Sequence, residues 1–388
     1  MRRPPPANDL GVTETNPPSQ PRRYQRQMLL PEIGVEGQSR LARAHALIVG
    51  VGALGCTSAD WLCRAGVGRI TLVDRDVVEF TNLHRQTLFT ESDARAGIPK
   101  AEAARRRLAE VNSEVRVGAV VCDVNSATLP RLRAMGSGGT PAEATGFDVI
   151  VDGTDNYETR YLLNDFAVRE GIPYCYAGVV GVSGAAATVL PEKWATARAQ
   201  SPTPCIRCLF PEMPAPGSMP TCDTAGVLGP MVGLVASWQS MEAIKVLSGA
   251  HERVHRVLAR FEAWTGGVML VDTSSARDPE CVCCGRGRYE FLDRPAGDGV
   301  ATLCGRNAVQ VLPSASGAPL DLGALGERLR GVGSVETTAF LVRVRLDGER
   351  ADVGEGVVLT VFPDARAIVS GVTNPDRARA LYARMVGA

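Results

Sequence analysis

Residues Gly50-Val51-Gly52-Ala53-Leu54-Gly55 constrain this chain more than any other segment. A compact apolar strand, Ala46 to Val49, runs into the first glycine, and a helical stretch, Cys56 to Ala65, follows the last. Glycines at a strand-to-helix turn let the backbone reverse tightly and approach a ligand, while the N–H groups opening the helix face negative charge. A second strand, Ile70 to Val73, ends at Asp74, an acid placed to hold ribose hydroxyls. Taken alone the pattern fits NAD or FAD binding, or a glycine loop that only packs helix on strand.

Strands and helices continue to alternate. Lys100 to Asn112 reads as a helix, Val115 to Val121 and Asp148 to Val151 as strands, and Glu158 to Glu170 as a helix. Tyr174 to Tyr176 and Ala185 to Leu190 read as further strands, a Pro-rich loop spans Thr203 to Pro220, and a buried helix runs from Leu228 to Leu247. This alternation predicts an α/β fold: a doubly wound, mostly parallel, Rossmann-like sheet. After Cys284 the texture changes to short β-like runs, Val309 to Leu312, Phe340 to Leu346 and Val357 to Phe362. They flank a helix near Leu322 to Leu329, and a closing helix spans Pro375 to Met385. The expected organisation is a Pro-rich disordered segment 1–20, a nucleotide domain 21–284 and a small C-terminal α/β domain 285–388 of unknown role.

The residues after the loop argue against a dehydrogenase. Asp74-Arg75-Asp76 leads to Thr81-Asn82-Leu83-His84-Arg85-Gln86 and then to Gly97-Ile98-Pro99-Lys100. Arg85 and Lys100 place two cations beyond the sheet edge, where a triphosphate extending from the loop would meet them; a dinucleotide has only two bridging phosphates and needs no such reach. Charge elsewhere is balanced, 42 Lys plus Arg against 42 Asp plus Glu, so no global field favours nucleic acid or membrane. Arg2 and Arg3 are followed by Pro4 to Pro6 without the apolar segment of an export signal, and the apolar run Val227 to Trp238 is too short and too glycine-broken to span a bilayer. A cytoplasmic location is expected, where paired cysteines mean metal or catalysis more often than disulfides.

In this order, Arg23-Tyr24-Gln25-Arg26-Gln27, the loop Gly50 to Gly55, Thr81 to Gln86, Lys100 and Asp152-Gly153-Thr154-Asp155-Asn156 resemble the MoeB/ThiF branch of the ubiquitin-activating superfamily. The resemblance covers about Arg23 to Cys284. It implies ATP-dependent adenylation of the C-terminal carboxylate of a ubiquitin-like sulfur-carrier protein ending in Gly-Gly, with release of pyrophosphate, in molybdopterin, thiamine or related sulfur biosynthesis. An NAD-dependent oxidoreductase on the same fold is the alternative. Carried over position by position, Gly50, Gly52, Ala53 and Gly55 would line the nucleotide, with Ala53 standing where the family often has Gly. Asp74 would bind ribose; Asn82, Arg85 and Lys100 would hold phosphates; Asp155 and Asn156 would sit by the phosphates and Mg2+. Arg26 resembles an arginine that reaches across a homodimer into the neighbouring site. Asp155 as a mere helix N-cap is the competing reading. Such a reaction needs no general base, because the carboxylate is ionised at neutral pH; it needs alignment and relief of negative charge.

Two Cys-x-x-Cys knuckles, Cys205/Cys208 and Cys281/Cys284, suit a closed tetrahedral Zn2+ site, leaving Cys283 spare; a redox dithiol is the alternative. The family carries the same pair of knuckles. Cys222, in Pro220-Thr221-Cys222-Asp223, resembles a mobile-loop cysteine that in some members bonds covalently to the carrier or its sulfur; an unreactive loop thiol is the other reading. Cys56, Cys63, Cys122 and Cys175 read as core packing. Beyond Arg286 the resemblance stops, and Cys304-Gly305-Arg306-Asn307 lacks the active-loop pattern of a rhodanese domain. Cys304 reads as a thiol at a strand end or as a sulfur donor, and the C-terminal domain as a contact surface for the carrier or a separate sulfur donor.

Overall fold

A computed structural model of the chain describes residues 22–132, 146–214, 222–294, 300–303, 307–312, 320–354 and 356–387. The segment 1–20, expected to be disordered, and Cys304 lie outside the described residues.

The first glycine-turn strand is the centre of the fold. β1 (His45–Val49) lies inside an eight-stranded sheet ordered β3-β2-β1-β4-β5-β6-β7-β8. It pairs in parallel with β2 (Arg69–Asp74) and β4 (Val149–Asp152), while β3 (Arg116–Val121) extends one side and β5 (Tyr174–Val180) the other. Every residue of β1 and β4 is buried, as central parallel strands covered on both faces require. Alternate side chains serve two cores: Ala46, Ile48, Val149 and Val151 enter one cluster, and Leu47, Val49 and Ile150 the other. The sheet then turns antiparallel through β6 (Ser183–Val189), β7 (Val257–Glu262) and β8 (Gly267–Asp272), so the parallel portion is the nucleotide half only.

The helices are α1 (Gln25–Met28), α2 (Gly34–Arg43), α3 (Ala53–Arg64), α4 (Glu91–Arg95), α5 (Lys100–Val111), α6 (Tyr157–Glu170), α7 (Glu192–Thr196), α8 (Ile206–Leu209), α9 (Cys222–Ala225) and α10 (Gly229–Ser248). Apolar residues of α3, α5 and α10 fill the first cluster, and those of α6 fill the second with Phe291 and Leu292. No helix among the described residues is long and apolar enough to cross a membrane.

Beyond residue 294, β9 (Val300–Leu303), β10 (Ala308–Val311), β11 (Gly333–Thr337), β12 (Val342–Leu346), β13 (Val358–Val361) and β14 (Ala367–Ser370) form a second sheet of order β11-β12-β13-β14-β10-β9. All its pairings are antiparallel, and α11 (Leu322–Leu329) and α12 (Pro375–Met385) pack on it. The second sheet meets the first unit at a small apolar seam, where Val77, Leu341 and Phe362 are buried together and Ile368 packs against them. The Arg106 guanidinium lies 5.5 Å over the Phe340 ring beside it.

Candidate functional site

β1 continues through α3 to β2 on one side, whereas β4 lies on its other side; this reversal opens a crevice at the carboxyl ends of β1 and β4. Three glycines close its floor. Gly50 adopts φ +84°, a methyl on Gly55 would sit 1.9 Å from the Gly50 carbonyl oxygen, and one on Gly153 would sit 2.0 Å from that oxygen. Gly52 is different: a methyl there meets nothing nearer than the Gly153 carbonyl oxygen at 3.8 Å, so its face is open to the crevice. The first intrahelical bond of α3 runs from Cys56 N–H to the Gly52 carbonyl, which leaves the N–H groups of Ala53, Leu54 and Gly55 outside the helix's own bonding. Gly52 and Ala53 therefore face the crevice with anion-seeking backbone donors.

Asp74 is nine-tenths buried and accepts from Val51 N–H at 2.6 Å and Asp76 N–H at 2.7 Å, so it fastens the glycine loop to the end of β2. Burial pushes its carboxyl up, and the nearby Lys100 ammonium opposes that shift. Lys100, the first residue of α5, is buried with its Nζ 3.2 Å from Asp76 Oδ2. Sequence reading passed over Arg75, Asp76 and Asp123: Arg75 Nη1 lies 2.7 Å from Asp123 Oδ1 at the end of β3. Burial opposes the Arg75 charge, yet Asp123 and Asp76 hold it above its usual value, and Asp155 contributes in the same sense.

The Thr81–Gln86 segment caps itself. Asn82 Oδ1 accepts from Glu79 N–H at 3.0 Å, and Arg85 Nη1 donates to the Thr81 carbonyl at 2.9 Å with His84 beside it. Lys100 is thus joined to the Asp74–Asp76 network, whereas Arg85 is folded back on its own turn. Gln86, also passed over, is buried; its Nε2 comes 3.9 Å from a methyl position on Gly52, and its Oε1 has no hydrogen-bond partner among the described residues. Asp155 is exposed in the loop between β4 and α6. The helix cap falls on Asn156, whose Oδ1 accepts from Thr159 N–H at 2.9 Å, so the cap reading of Asp155 is replaced by its neighbour.

Arg26 lies elsewhere. Tyr24 is buried with its hydroxyl accepting from Asn112 at 2.8 Å, and Arg23 donates to the Val111 carbonyl at 2.8 Å. These contacts are at the end of α5 opposite Lys100, roughly 17 Å along a helix of that length. Arg26 itself is exposed.

The four knuckle cysteines, Cys205, Cys208, Cys281 and Cys284, converge with all sulfurs within 4.8 Å of one another. Individual separations of 4.0 Å (Cys205–Cys208), 3.7 Å (Cys205–Cys281) and 3.4 Å (Cys208–Cys284) bracket the edge of about 3.8 Å expected for a tetrahedron of zinc–thiolate bonds. Residues and geometry fit a closed structural Zn2+ site. Cys283 is spare, receiving a hydrogen bond from Asn164 Nδ2 at 3.3 Å. Asn164 Oδ1 accepts from Ile206 N–H at 2.8 Å and Asp165 Oδ2 from Phe291 N–H at 2.9 Å, so consecutive residues of α6 hold both sides of the cluster. Cys56, Cys63, Cys122 and Cys175 are buried, and burial raises each thiol, Cys56 and Cys122 to about 12. Cys222 opens the four-residue α9, well ahead of α10, which begins at Gly229; its side chain lies outside the described residues.

The model of the ThiF family matches residues 24–283, which include the crevice and all of the cysteine cluster except Cys284. The chain belongs to the ThiF family. It is 39% identical over 366 residues to the sulfur carrier protein ThiS adenylyltransferase of Bacillus subtilis, covering 94% of this chain and 99% of that protein. It is 37% identical over 272 residues to the SAMP-activating enzyme E1 of Haloferax volcanii, covering 70% of this chain and 91% of that one. Among solved structures, E. coli MccB crystallised with ATP aligns with TM-score 0.55 and 23% identity over 68% of this chain and 74% of that one, a likeness of fold.

Proposed function

We propose that this ThiF-family chain adenylates the C-terminal glycine carboxylate of a ubiquitin-like sulfur-carrier protein, using ATP with Mg2+ and releasing pyrophosphate. What supports the reading is open Gly52 beside the N–H groups that open α3, with Lys100 tied to the loop through Asp76 and Asp155 exposed in the loop that follows β4. The carrier's carboxylate oxygen forms a bond to the α-phosphorus while the bond from that phosphorus to the bridging oxygen of pyrophosphate breaks. No proton needs to move. The α3 N–H groups and Lys100 relieve the charge of two converging anions, and Asn82 and Arg85 reach the outer phosphates once Arg85 leaves Thr81. Asp74 sets the loop and faces the ribose, and Gln86 offers its amide beside Gly52. Asp155 would hold Mg2+ as a hard oxygen ligand, and the ion would supply neutralisation of the leaving pyrophosphate.

Residues 21–284 form the activating domain, and 285–388 an appended domain shared with the Bacillus relative, whose match extends over 94% of this chain. Other relatives match over about the first domain, 70% and 68% of the chain, which favours a ThiS-type carrier and the thiamine branch over molybdopterin synthesis. Zn2+ at the cysteine cluster is structural. Arg26 sits at the end of the sheet opposite its own loop and serves the site of a second copy, so the working unit is a homodimer. The reaction takes place in the cytoplasm; what supports this is the use of two cysteine pairs as one metal set, the use expected of paired cysteines in a reducing compartment.

ATP–pyrophosphate exchange with a panel of Gly-Gly carriers tests the proposal. Exchange should require a carrier, Asp155→Ala should abolish it, and Cys222→Ala should spare it. Full activity of Asp155→Ala would remove the metal role from that residue, and carrier-independent ATP turnover would refute the activity.

A further inference from the structure

Arg366, in the turn before β14, has the largest fully buried side chain among the described residues, 1% exposed. Its guanidinium stacks 3.9 Å from the Phe362 ring centroid, and its nearest carboxylate, Asp364 Oδ2, stands 3.7 Å from Nε. None of its three nitrogens has a hydrogen-bond partner among the described residues. A buried guanidinium with five unused N–H donors is expensive unless it has work in another state of the protein. Its surroundings indicate that work. Beyond Asp364 it is within electrostatic reach of Asp76 and Asp123, the two carboxylates that pair with Lys100 and Arg75. Burial pulls its charge down, and those carboxylates act to sustain it. Val77, next to Asp76, is part of the apolar seam with Leu341 and Phe362, so the appended sheet is docked on the segment that carries Asp76.

We propose that Arg366 is a positioning residue for nucleotide binding: when Lys100 and Arg75 turn toward the triphosphate, Arg366 takes over Asp76 and Asp123. The inference rests on the nucleotide reading of the crevice. Without a third cation, the carboxylates left behind would face the incoming phosphates and repel them. With it, Asp76 and Asp123 keep one guanidinium between them while Lys100 and Arg75 serve the ligand. ATP binding and docking of the appended domain are then thermodynamically linked.

The test measures ATP·Mg2+ affinity by calorimetry and ATP–pyrophosphate exchange for full-length Arg366→Met, Arg366→Lys, Asp123→Asn/Arg366→Met and Lys100→Ala. Lys100→Ala reports on the crevice itself: retained exchange there sinks the nucleotide reading, independently of Arg366. With Lys100→Ala inactive, Arg366→Met should raise the KM for ATP about tenfold with kcat within about twofold, Arg366→Lys should recover most of the loss, and removing the Asp123 charge should partly rescue Arg366→Met. A merely structural Arg366 predicts the opposite: replacing a buried unpaired charge by Met leaves KM unchanged and keeps or raises the melting temperature. An unchanged KM in Arg366→Met overturns the proposal; should that variant fold poorly, Arg366→Gln takes its place as the uncharged variant, and an unchanged KM for ATP there overturns it equally.

Discussion

The crossing of Gly50, Gly55 and Gly153 gives the sharpest prediction, because two glycines of one site should fail in different ways. A methyl at Gly153 would lie 2.0 Å from the Gly50 oxygen and 2.9 Å from Gly55 Cα, both backbone atoms that cannot rotate aside. The β4–α6 loop would have to retreat by about 1 Å, a cost of about 3 kcal/mol at the upper end of ordinary overpacking. For a domain of this size that lowers the melting temperature by roughly 6–12 °C. The same displacement carries Asp155 away from the glycine loop, and misplacement by about 1 Å is worth roughly a hundredfold in rate. Gly52→Ala is the counterpart. Its methyl clears every neighbour by 3.8 Å or more, so stability should stay within about 0.5 kcal/mol. Exchange should nonetheless fall, because the methyl occupies the face presented to the nucleotide. Differential scanning calorimetry and ATP–pyrophosphate exchange on both variants decide the matter. Wild-type melting of Gly153→Ala, or equal destabilisation by Gly52→Ala, would refute the interlocked-backbone argument.

Other expectations follow from the same structure. Purified protein should hold one zinc per chain, lost in Cys205→Ser or Cys281→Ser with a fall in melting temperature of roughly 10 °C, and retained in Cys283→Ser, as read by elemental analysis and calorimetry. Asp152 is fully buried, receives the Tyr174 hydroxyl at 2.6 Å and lies 3.5 Å from Arg160, so Asp152→Ala should destabilise by about 3–5 kcal/mol in urea titration by stranding that guanidinium. Arg26→Ala and Asp155→Ala should each be inactive alone, while equal mixing with subunit exchange should restore roughly a quarter of the activity, since one site of each mixed dimer is intact. No restoration would place Arg26 in its own chain's chemistry.

What could be read from the residues depended on how local the signal was. β1, α3 and β2 were legible because an unbroken apolar run meets a glycine turn, and both knuckles were legible because two short spacings sufficed to pair distant loops. β7 and β8 went unread: in β7 the alternation is confined to Ala259–Glu262, too few residues to stand out, and in β8 the apolar Val268–Val271 run is exposed throughout and shows no in–out alternation. β11 begins Gly333-Ser334 and is similarly exposed. Asp155 and Asn156 are both good capping residues, and only the backbone path decides between them. Arg366 carried no signal, because Asp76 and Asp123 lie more than two hundred positions earlier and meet it only through docking of the second sheet.

α6 ties two remote parts of the molecule into one rigid rod. Its first turn borders the loop of Asp155, and two turns further Asn164 and Asp165 grip the cysteine-bearing segments. Oxidants or chelators that disrupt the sulfur cluster should therefore loosen the far end of the same helix that borders the Asp155 loop. Thiol damage would then register as lost turnover without any sulfur of that cluster touching the nucleotide.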